Sequence, residues 1–243
     1  MSDQPKKTET DHLNEARAKL LAAALAHVPF DGWSQQSLDA ALADTAIDAD
    51  LARLALPRGA LDLAIAHHKQ GDAEMLDRAL DADLDSLRYS EKVTVLIRLR
   101  LEIAADKEIV RRGATFFAMP GHAAEGSALI WDTCDVIWKC LGDTSTDVNW
   151  YSKRVILSAV YSTTLLFWLG DDSPGHQATW EFLARRIENV MQFEKAKGSL
   201  RKNPLVKGLM QGPGRLLDRI NAPDGSGRAD LPGHIAEKIQ KKA

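Results

Sequence analysis

Residues 155–169 read VILSAVYSTTLLFWL and constrain the fold more than any other part of the chain. These 15 residues carry no charged side chain and include Ser158, Ser162, Thr163 and Thr164. They are too few to cross about 30 Å of hydrocarbon as a helix. We therefore predict a helix that is buried on nearly all sides within the protein.

Apolar residues recur at helical spacing along the rest of the chain, and no segment alternates in the manner of a strand. Proline and glycine interrupt the pattern, for example at Pro29, Pro57 and Gly142. The predicted helices cover residues 13–28, 34–45, 48–56, 58–68, 73–85, 90–117, 123–141, 149–169 and 174–197. The sequence therefore predicts an all-α bundle of about nine to ten helices.

The first three predicted helices, with a short turn at AIDAD (residues 46–50), have the lengths of a helix-turn-helix head. A long helical body behind such a head resembles the layout of TetR-type repressors. A DNA-reading helix needs cations that face phosphates and base edges, but the third helix carries Asp48, Asp50 and a single Arg53. We expect a degenerate head that binds no nucleic acid. A TetR-like ligand-responsive transcriptional regulator is the alternative.

Charge is distributed unevenly along the 243 residues. Residues 31–85 hold 12 Asp and Glu against 4 Lys and Arg, whereas residues 195–243 hold 4 against 11. Such a basic tail suits an anionic partner, such as phospholipid. We expect four parts: a disordered leader at 1–11, the helix-turn-helix-like part at 12–72, a ligand-binding and dimerisation bundle at 73–198, and a basic amphipathic tail at 199–243.

No motif for catalysis stands out in the sequence. The nucleophile elbow, the phosphate-binding loop and the dinucleotide-binding glycine pattern are absent. Asp132 and Asp135, three residues apart on one predicted helix, could share a metal ion with a histidine, although surface or capping carboxylates are more common. We predict a protein that is not an enzyme and has no catalytic residue, no metal site and no cofactor; the enzyme with a metal site is an alternative.

A group of large apolar side chains could line a cavity for an apolar ligand. It comprises Phe116, Phe117, Met119, Trp131 and Trp138. The same residue types also build an ordinary hydrophobic core, so the sequence leaves both interpretations open.

The segment LRKNPLVKGLMQGPGRLLDRI at residues 200–220 has the pattern of an amphipathic helix at a membrane surface. Apolar burial and attraction to anionic headgroups would together favour reversible attachment. Gly212, Pro213 and Gly214 interrupt the helix, and docking on the protein's own body is the alternative. The residues expected to contact the membrane are Leu205, Val206, Lys207, Leu209, Met210, Arg215, Leu216, Leu217 and Ile220.

Residues 142–154, GDTSTDVNWYSKR, combine two patterns. The part from Gly142 to Asp147 supplies a helix stop followed by capping residues for the next helix. The aromatic and cationic side chains that follow have the composition of an interface hot spot. The predicted recognition face consists of Asp147, Asn149, Trp150, Tyr151, Lys153 and Arg154.

The same block carries a family resemblance. Residues 142–164, followed by DDSPGHQATWEFLARRIENVM, resemble the signature of the ubiquinone (coenzyme Q) biosynthesis accessory proteins, the ninth Coq protein family. The segments HVPFDGWSQQSL, LPRGALDLA and residues 98–138 also fit this family. The resemblance covers roughly residues 13–220.

The resemblance implies a homodimer with a TetR-like fold that has lost DNA binding. It implies that an apolar pocket binds polyprenyl quinone intermediates or phospholipid, and that the tail helix attaches peripherally to a membrane. It also implies a partner at the recognition face: the di-iron quinone hydroxylase of the pathway (the demethoxyubiquinone hydroxylase) or another pathway enzyme. The protein would present its lipid to that enzyme. Because we find no mitochondrial presequence, we expect a bacterial, cytoplasmic protein at the cytoplasmic face of the inner membrane.

Overall fold

The computed structural model describes residues 8–104, 106–202 and residue 222, and this part of the chain is helical without strands. The prediction of an all-α fold with nine to ten helices is confirmed. The helices are α1 (Glu9–Ala24), α2 (Val28–Asp31), α3 (Gln35–Thr45), α4 (Ala49–Ala55), α5 (Ala60–Asp81), α6 (Tyr89–Ile103), α7 (Lys107–Ala118), α8 (Ala123–Cys140), α9 (Val148–Leu169) and α10 (Gln177–Lys202), with a 3₁₀ turn at Pro174–His176 before α10.

Short polar side chains begin the first helices by accepting hydrogen bonds from free backbone amides. Ser34 accepts from the Ser37 amide at the start of α3, and Asp48 caps α4. Thr8 caps α1, with Asp11 completing a capping box. Helix α1 therefore begins inside the segment 1–11 that we expected to be a disordered leader.

Helix α5 is continuous through Gln70, Gly71 and Asp72, where the sequence suggested a break between two helices. The glycine is present for packing: a Cβ at Gly71 would lie 2.7 Å from Cζ of Arg100 on α6. The missing side chain makes room for a guanidinium group, so Gly71 is a packing residue and not a helix break. The two helices predicted at 58–68 and 73–85 form one helix.

The single helix predicted at residues 90–117 is instead two helices, α6 and α7. Asp106 ends the interruption because its carboxylate accepts a hydrogen bond from the Glu108 amide and caps α7. The apolar periodicity of residues 90–117 does not show this break. Asp106 sets the start of α7 through a local side-chain hydrogen bond, which periodicity does not register.

Buried apolar residues form two clusters. The front cluster joins α1 to α4 and the first half of α5, and consists of Ala16, Leu20, Leu21, Ala24, Val28, Trp33, Leu38, Ala41, Ala52, Ala55, Leu56, Leu63 and Ala64. The rear cluster joins the second half of α5 to α6, α8, α9 and α10, and consists of Met75, Ala79, Val93, Leu96, Ile97, Leu101, Cys134, Ile137, Leu157, Val160, Tyr161, Trp168 and Leu183. Helix α5 belongs to both clusters.

Helix α9 contains the uncharged run at residues 155–169. Its buried residues include Leu157, Tyr161 and Trp168, which recur at helical spacing. Val155 and Leu166 are 57% and 63% exposed, so α9 is buried along one face and the prediction of burial on nearly all sides is wrong. Within the described residues, none of the helices has the length and apolarity needed to cross a membrane.

The chain divides into two compact units. The first comprises residues up to Asp143 together with residues 154–195, and the second comprises residues 144–153 and the chain from Ala196 onward. The boundary predicted after residue 72 falls inside α5. In the second unit, the amide of Ala222 donates to the Thr146 carbonyl at 2.8 Å. The predicted membrane-contacting residues between Leu205 and Ile220 lie outside the described residues.

We expect Gly71→Ala to lower the free energy of unfolding by about 1–3 kcal/mol, because the new methyl group overpacks against a buried guanidinium held in place by hydrogen bonds. Urea unfolding followed by circular dichroism measures this. Gly121→Ala is the matched control, since a Cβ at Gly121 would meet no atom within 4 Å. Equal effects of the two changes would contradict this packing role.

Candidate functional site

A cavity of about 540 Å³ lies between the front and rear clusters. The wall is mainly apolar and includes Leu25, Trp33, Ile109, Phe117 and Leu165. Its size falls within the range of small-molecule pockets, which are usually apolar with a few placed polar groups. The cavity is therefore the best candidate for a ligand site in the described part of the chain.

One part of the cavity wall is polar, and its centre is Arg100 on α6. The Arg100 Nε donates to Asp72 Oδ1 at 2.7 Å, and its Nη2 donates to the His68 carbonyl at 3.0 Å. Asp72 also accepts a hydrogen bond from the Thr133 hydroxyl on α8 at 2.9 Å. Burial raises the pKa of Asp72, and the positive charge of Arg100 opposes that shift. This pairing joins three helices beside the cavity.

His67 and His68 line the same part of the cavity. His67 lies against Trp33 with ring centroids 5.2 Å apart, and His68 Nε2 lies 2.8 Å from the Thr133 hydroxyl. Burial, reinforced by the charge of Arg100, lowers the pKa of His67 to about 4 and that of His68 to about 3. Both rings are therefore neutral at pH 7, and they add polar atoms to the wall without adding charge.

The five side chains predicted to bind lipid do not share this cavity, and Phe117 alone lines it. Phe116 stacks on His122, and Met119 is exposed. Trp131 lines a second cavity of about 330 Å³ together with Val155. Trp138 packs against Tyr89 with ring centroids 5.8 Å apart. Residue type alone does not bring these side chains together, because aromatic side chains serve cores, surfaces and cavities alike; that they bind lipid stays a prediction.

Arg100 and Asp72 are absent from the predicted site residues, although the sequence contains one signal of their pairing. Arg100 follows Leu96 and Ile97 by one helical turn and so lies on the buried face of α6. A charged residue on an apolar helix face needs a buried partner, and Asp72 supplies it. A charged residue on the apolar face of α6 is therefore the sequence signal for a polar site between α5 and α6.

The predicted recognition face lies largely in the second unit, on the first turns of α9. Asp147 accepts hydrogen bonds from the amide and the side chain of Asn149, and Lys153 donates to the Ser145 hydroxyl. The rings of Trp150 and Tyr151 meet edge to face at 4.7 Å. The two aromatic residues remain partly exposed, as a contact surface requires.

Arg154, the sixth predicted residue of that face, belongs to the first unit and is 1% exposed. Its Nε donates to Asp135 Oδ1 at 2.7 Å, and its Nη1 donates to Asp143 Oδ2 at 3.2 Å. Asp143 is equally buried. The expectation that Arg154 lies on a recognition surface is therefore corrected: its side chain neutralises buried carboxylates.

The alternative of a metal site at Asp132 and Asp135 has no geometric support. Asp135 pairs with Lys139 and Arg154. In the described part of the chain, no group of three or more His, Cys, Asp or Glu side chains is placed to hold a metal ion.

These features define a class: an all-α protein with a small helical head, a helical body and an apolar cavity between two hydrophobic clusters. The same fold occurs in a solved structure of a TetR transcriptional regulator from Nitrosomonas europaea ATCC 19718. The TM-score is 0.58 at 20% identity, over 72% of this chain and 97% of the regulator. The predicted TetR-like fold is confirmed, and this comparison bears on the fold alone.

The sequence comparisons identify the family. Residues 123–194 match the COQ9 family model. The human "Ubiquinone biosynthesis protein COQ9, mitochondrial" is 30% identical over 225 residues, which cover 86% of this chain and 69% of the human protein. The Drosophila melanogaster protein of the same name is 29% identical over 198 residues, 79% of this chain and 59% of the fly protein. The chain belongs to the COQ9 family, and it spans less than two thirds of the fly protein.

We expect Arg154→Met to lower the free energy of unfolding by about 3–5 kcal/mol, because it removes the buried cation that pairs with Asp135 and Asp143. Chemical unfolding at pH 7 measures the loss. Lys153→Met, at the preceding position of the same helix, should change stability by only about 0.5 kcal/mol. A stable Arg154→Met variant would return Arg154 to the set of candidate surface contacts.

Proposed function

We propose that this protein takes part in ubiquinone biosynthesis as a non-enzymatic lipid-binding accessory protein. The observation that carries the proposal is the apolar cavity of about 540 Å³ in a member of the COQ9 family. The relatives named above are ubiquinone biosynthesis proteins by name. The proposed ligand is a polyprenyl quinone intermediate, with phospholipid as the other candidate.

Physical chemistry explains why such a pathway needs a lipid carrier. A polyprenyl chain loses about 25 cal/mol of favourable transfer free energy for every Å² of apolar surface that it exposes to water. A soluble enzyme therefore cannot meet this substrate in water, whereas a protein with an apolar cavity covers part of the chain outside the bilayer. A protein that covers the polyprenyl chain in this way would present the quinone ring of the same ligand to a pathway enzyme.

The partner in this proposal is the di-iron quinone hydroxylase or another enzyme of the pathway. The contact surface consists of five residues of the predicted recognition face: Asp147, Asn149, Trp150, Tyr151 and Lys153. The sixth, Arg154, is left out because its side chain is buried. Two adjacent aromatic rings that remain partly exposed have the composition of a binding hot spot.

Membrane attachment would use the basic amphipathic segment at residues 200–220, at the cytoplasmic face of a bacterial inner membrane. The support is the sequence pattern of apolar residues interleaved with cations. Truncation after residue 199 should abolish flotation with anionic liposomes. Flotation that survives the truncation would contradict this part of the proposal.

The proposed homodimer would cover an apolar surface on α9 and α10. Phe167 and Phe182 stack with ring centroids 4.6 Å apart, and Leu166, Met191 and Phe193 are exposed on the same two helices. Paired helices with exposed apolar side chains favour a second copy as the covering partner. A monomer in light scattering at micromolar concentration would contradict the dimer.

A DNA-binding regulator is less well supported. In α4, the position of a recognition helix, Arg53 pairs with Asp50 at 3.2 Å, and Asp48 is the N-cap. Such a helix presents little net positive charge to phosphates. A gel shift with promoter DNA at low salt would favour the regulator over the accessory protein.

We expect Ala114→Phe, which fills the cavity from α7, to weaken binding of a polyprenyl quinone at least tenfold by occupying its space. Ala114 lines the cavity, whereas its neighbour Thr115 is exposed, which makes Thr115→Phe the matched control. Isothermal titration with a short-chain quinone in detergent, and native mass spectrometry of co-purified lipid, measure the effect. Unchanged binding by Ala114→Phe would exclude this cavity as the lipid site.

We expect Trp150→Ala to weaken capture of the hydroxylase at least tenfold, because truncation of a hot-spot tryptophan commonly costs 2 kcal/mol or more. Val155→Ala, an exposed apolar position farther along α9, is the control. Biolayer interferometry with the purified hydroxylase from the same organism measures both. Equal affinities of the two variants would place the partner elsewhere.

A further inference from the structure

Arg100 has hydrogen-bonding capacity that the protein does not use. Its Nε binds Asp72 and its Nη2 binds the His68 carbonyl, while its Nη1 makes no hydrogen bond within the described residues. Arg100 is 7% exposed and lines the cavity. The guanidinium therefore offers the cavity one hydrogen-bond donor that has no protein partner among the described residues.

Tyr161 on α9 presents a second such group. It is 2% exposed and lines the same cavity, and no hydrogen bond to its hydroxyl is found among the described residues. Burial raises the pKa of Tyr161, so the phenol keeps its proton at pH 7. Tyr161 and Arg100 are close enough for each to affect the ionisation of the other. Two donors without a hydrogen-bond partner among the described residues therefore line one cavity, and their charges interact.

We propose that Arg100 and Tyr161 form a subsite that binds an oxygen atom of an uncharged quinone or phenol ring, whose hydrocarbon chain occupies the apolar remainder of the cavity. This inference rests on the proposed function and deepens it, because it assigns the ligand's ring a location and a chemical class. A carbonyl or phenol oxygen accepts two hydrogen bonds, which matches the number of donors.

The charges around the subsite favour an uncharged ring over a phosphate. Asp72 balances Arg100, and Glu74, which also lines the cavity, pairs with Arg78 at 2.6 Å. His67 and His68 are neutral at pH 7, as their lowered pKa values require. Arg100 is the one cation among the described residues that line the cavity, so an anionic headgroup would add a negative charge without a further cation on the wall to balance it, at a high cost in an apolar site.

Gly71 makes the subsite possible. Its missing side chain accommodates the Arg100 guanidinium, since a Cβ would lie 2.7 Å from Nη1. Gly71 lines the cavity as well, whereas Asp72 is not part of the wall. The cation therefore faces the cavity, and its counterion lies behind it.

Tyr161→Phe is the sharpest test, because it removes one hydroxyl and keeps the shape of the ring. Three probes are used by isothermal titration: a short-chain prenylated benzoquinone, a prenyl hydrocarbon of equal length without the ring, and a short-chain phosphatidylglycerol. We expect Tyr161→Phe to weaken binding of the quinone about tenfold, the cost of losing one of the two hydrogen bonds to the ring oxygen, and to leave hydrocarbon binding unchanged. Tyr89→Phe is the matched control, since Tyr89 packs on Trp138 and does not line the cavity.

The outcomes separate this inference from the proposed function. If the quinone and the hydrocarbon both bind and Tyr161→Phe weakens neither, the subsite is wrong and lipid binding stands. If the phosphatidylglycerol binds more tightly than the quinone and Tyr161→Phe weakens it, the subsite accepts an anion and the proposal of an uncharged ring is overturned. If wild-type protein binds none of the probes, both proposals fail.

Discussion

The ion pair between Arg100 and Asp72 is the interaction on which the arrangement of helices around the cavity depends. It joins α6 to α5, and the Thr133 hydroxyl extends the contact to α8. A buried ion pair stabilises a protein only when hydrogen bonds satisfy the remaining polar atoms of both partners. Here the carboxylate is well satisfied, whereas Nη1 of the guanidinium makes no hydrogen bond within the described residues. The pair is therefore a structural link, and Arg100 is also a polar feature of the cavity wall.

The continuity of α5 follows from the same contact. Leu63 and Ala64 near its start belong to the front cluster, and Met75 and Ala79 near its end belong to the rear cluster. One helix thus spans the boundary at which the cavity lies. A break at Gly71 would separate His68 and Asp72 from each other and remove the partners of Arg100. The cavity and its polar wall consequently depend on a glycine that is tolerated inside a helix at a cost of about 1 kcal/mol.

Local signals in the sequence predicted most helix ends correctly, because Ser34 and Asp48 act on amides two or three residues away. At Gly71 and Arg154 the sequence failed because the cause was distant. Nothing near Gly71 indicates that Arg100, on another helix, will occupy the space of its missing side chain. The same limit applies to Arg154, which has the composition of a surface residue but lies between Asp135 and Asp143. Charge pairing across helices is a property of the fold and cannot be deduced from spacing.

Perturbed pKa values often mark active sites, and in this protein burial shifts the pKa values of His67, His68 and Cys134. General acid–base catalysis works best with a pKa near the working pH, but burial lowers the pKa of His67 to about 4 and of His68 to about 3. Burial also raises the pKa of the Cys134 thiol to about 12, which opposes a nucleophilic thiolate. These shifts move each group away from proton exchange at pH 7 and fix it in an uncharged form. Of the three groups, His67 and His68 line the cavity, where their neutral rings supply hydrogen-bonding atoms without adding charge to the wall.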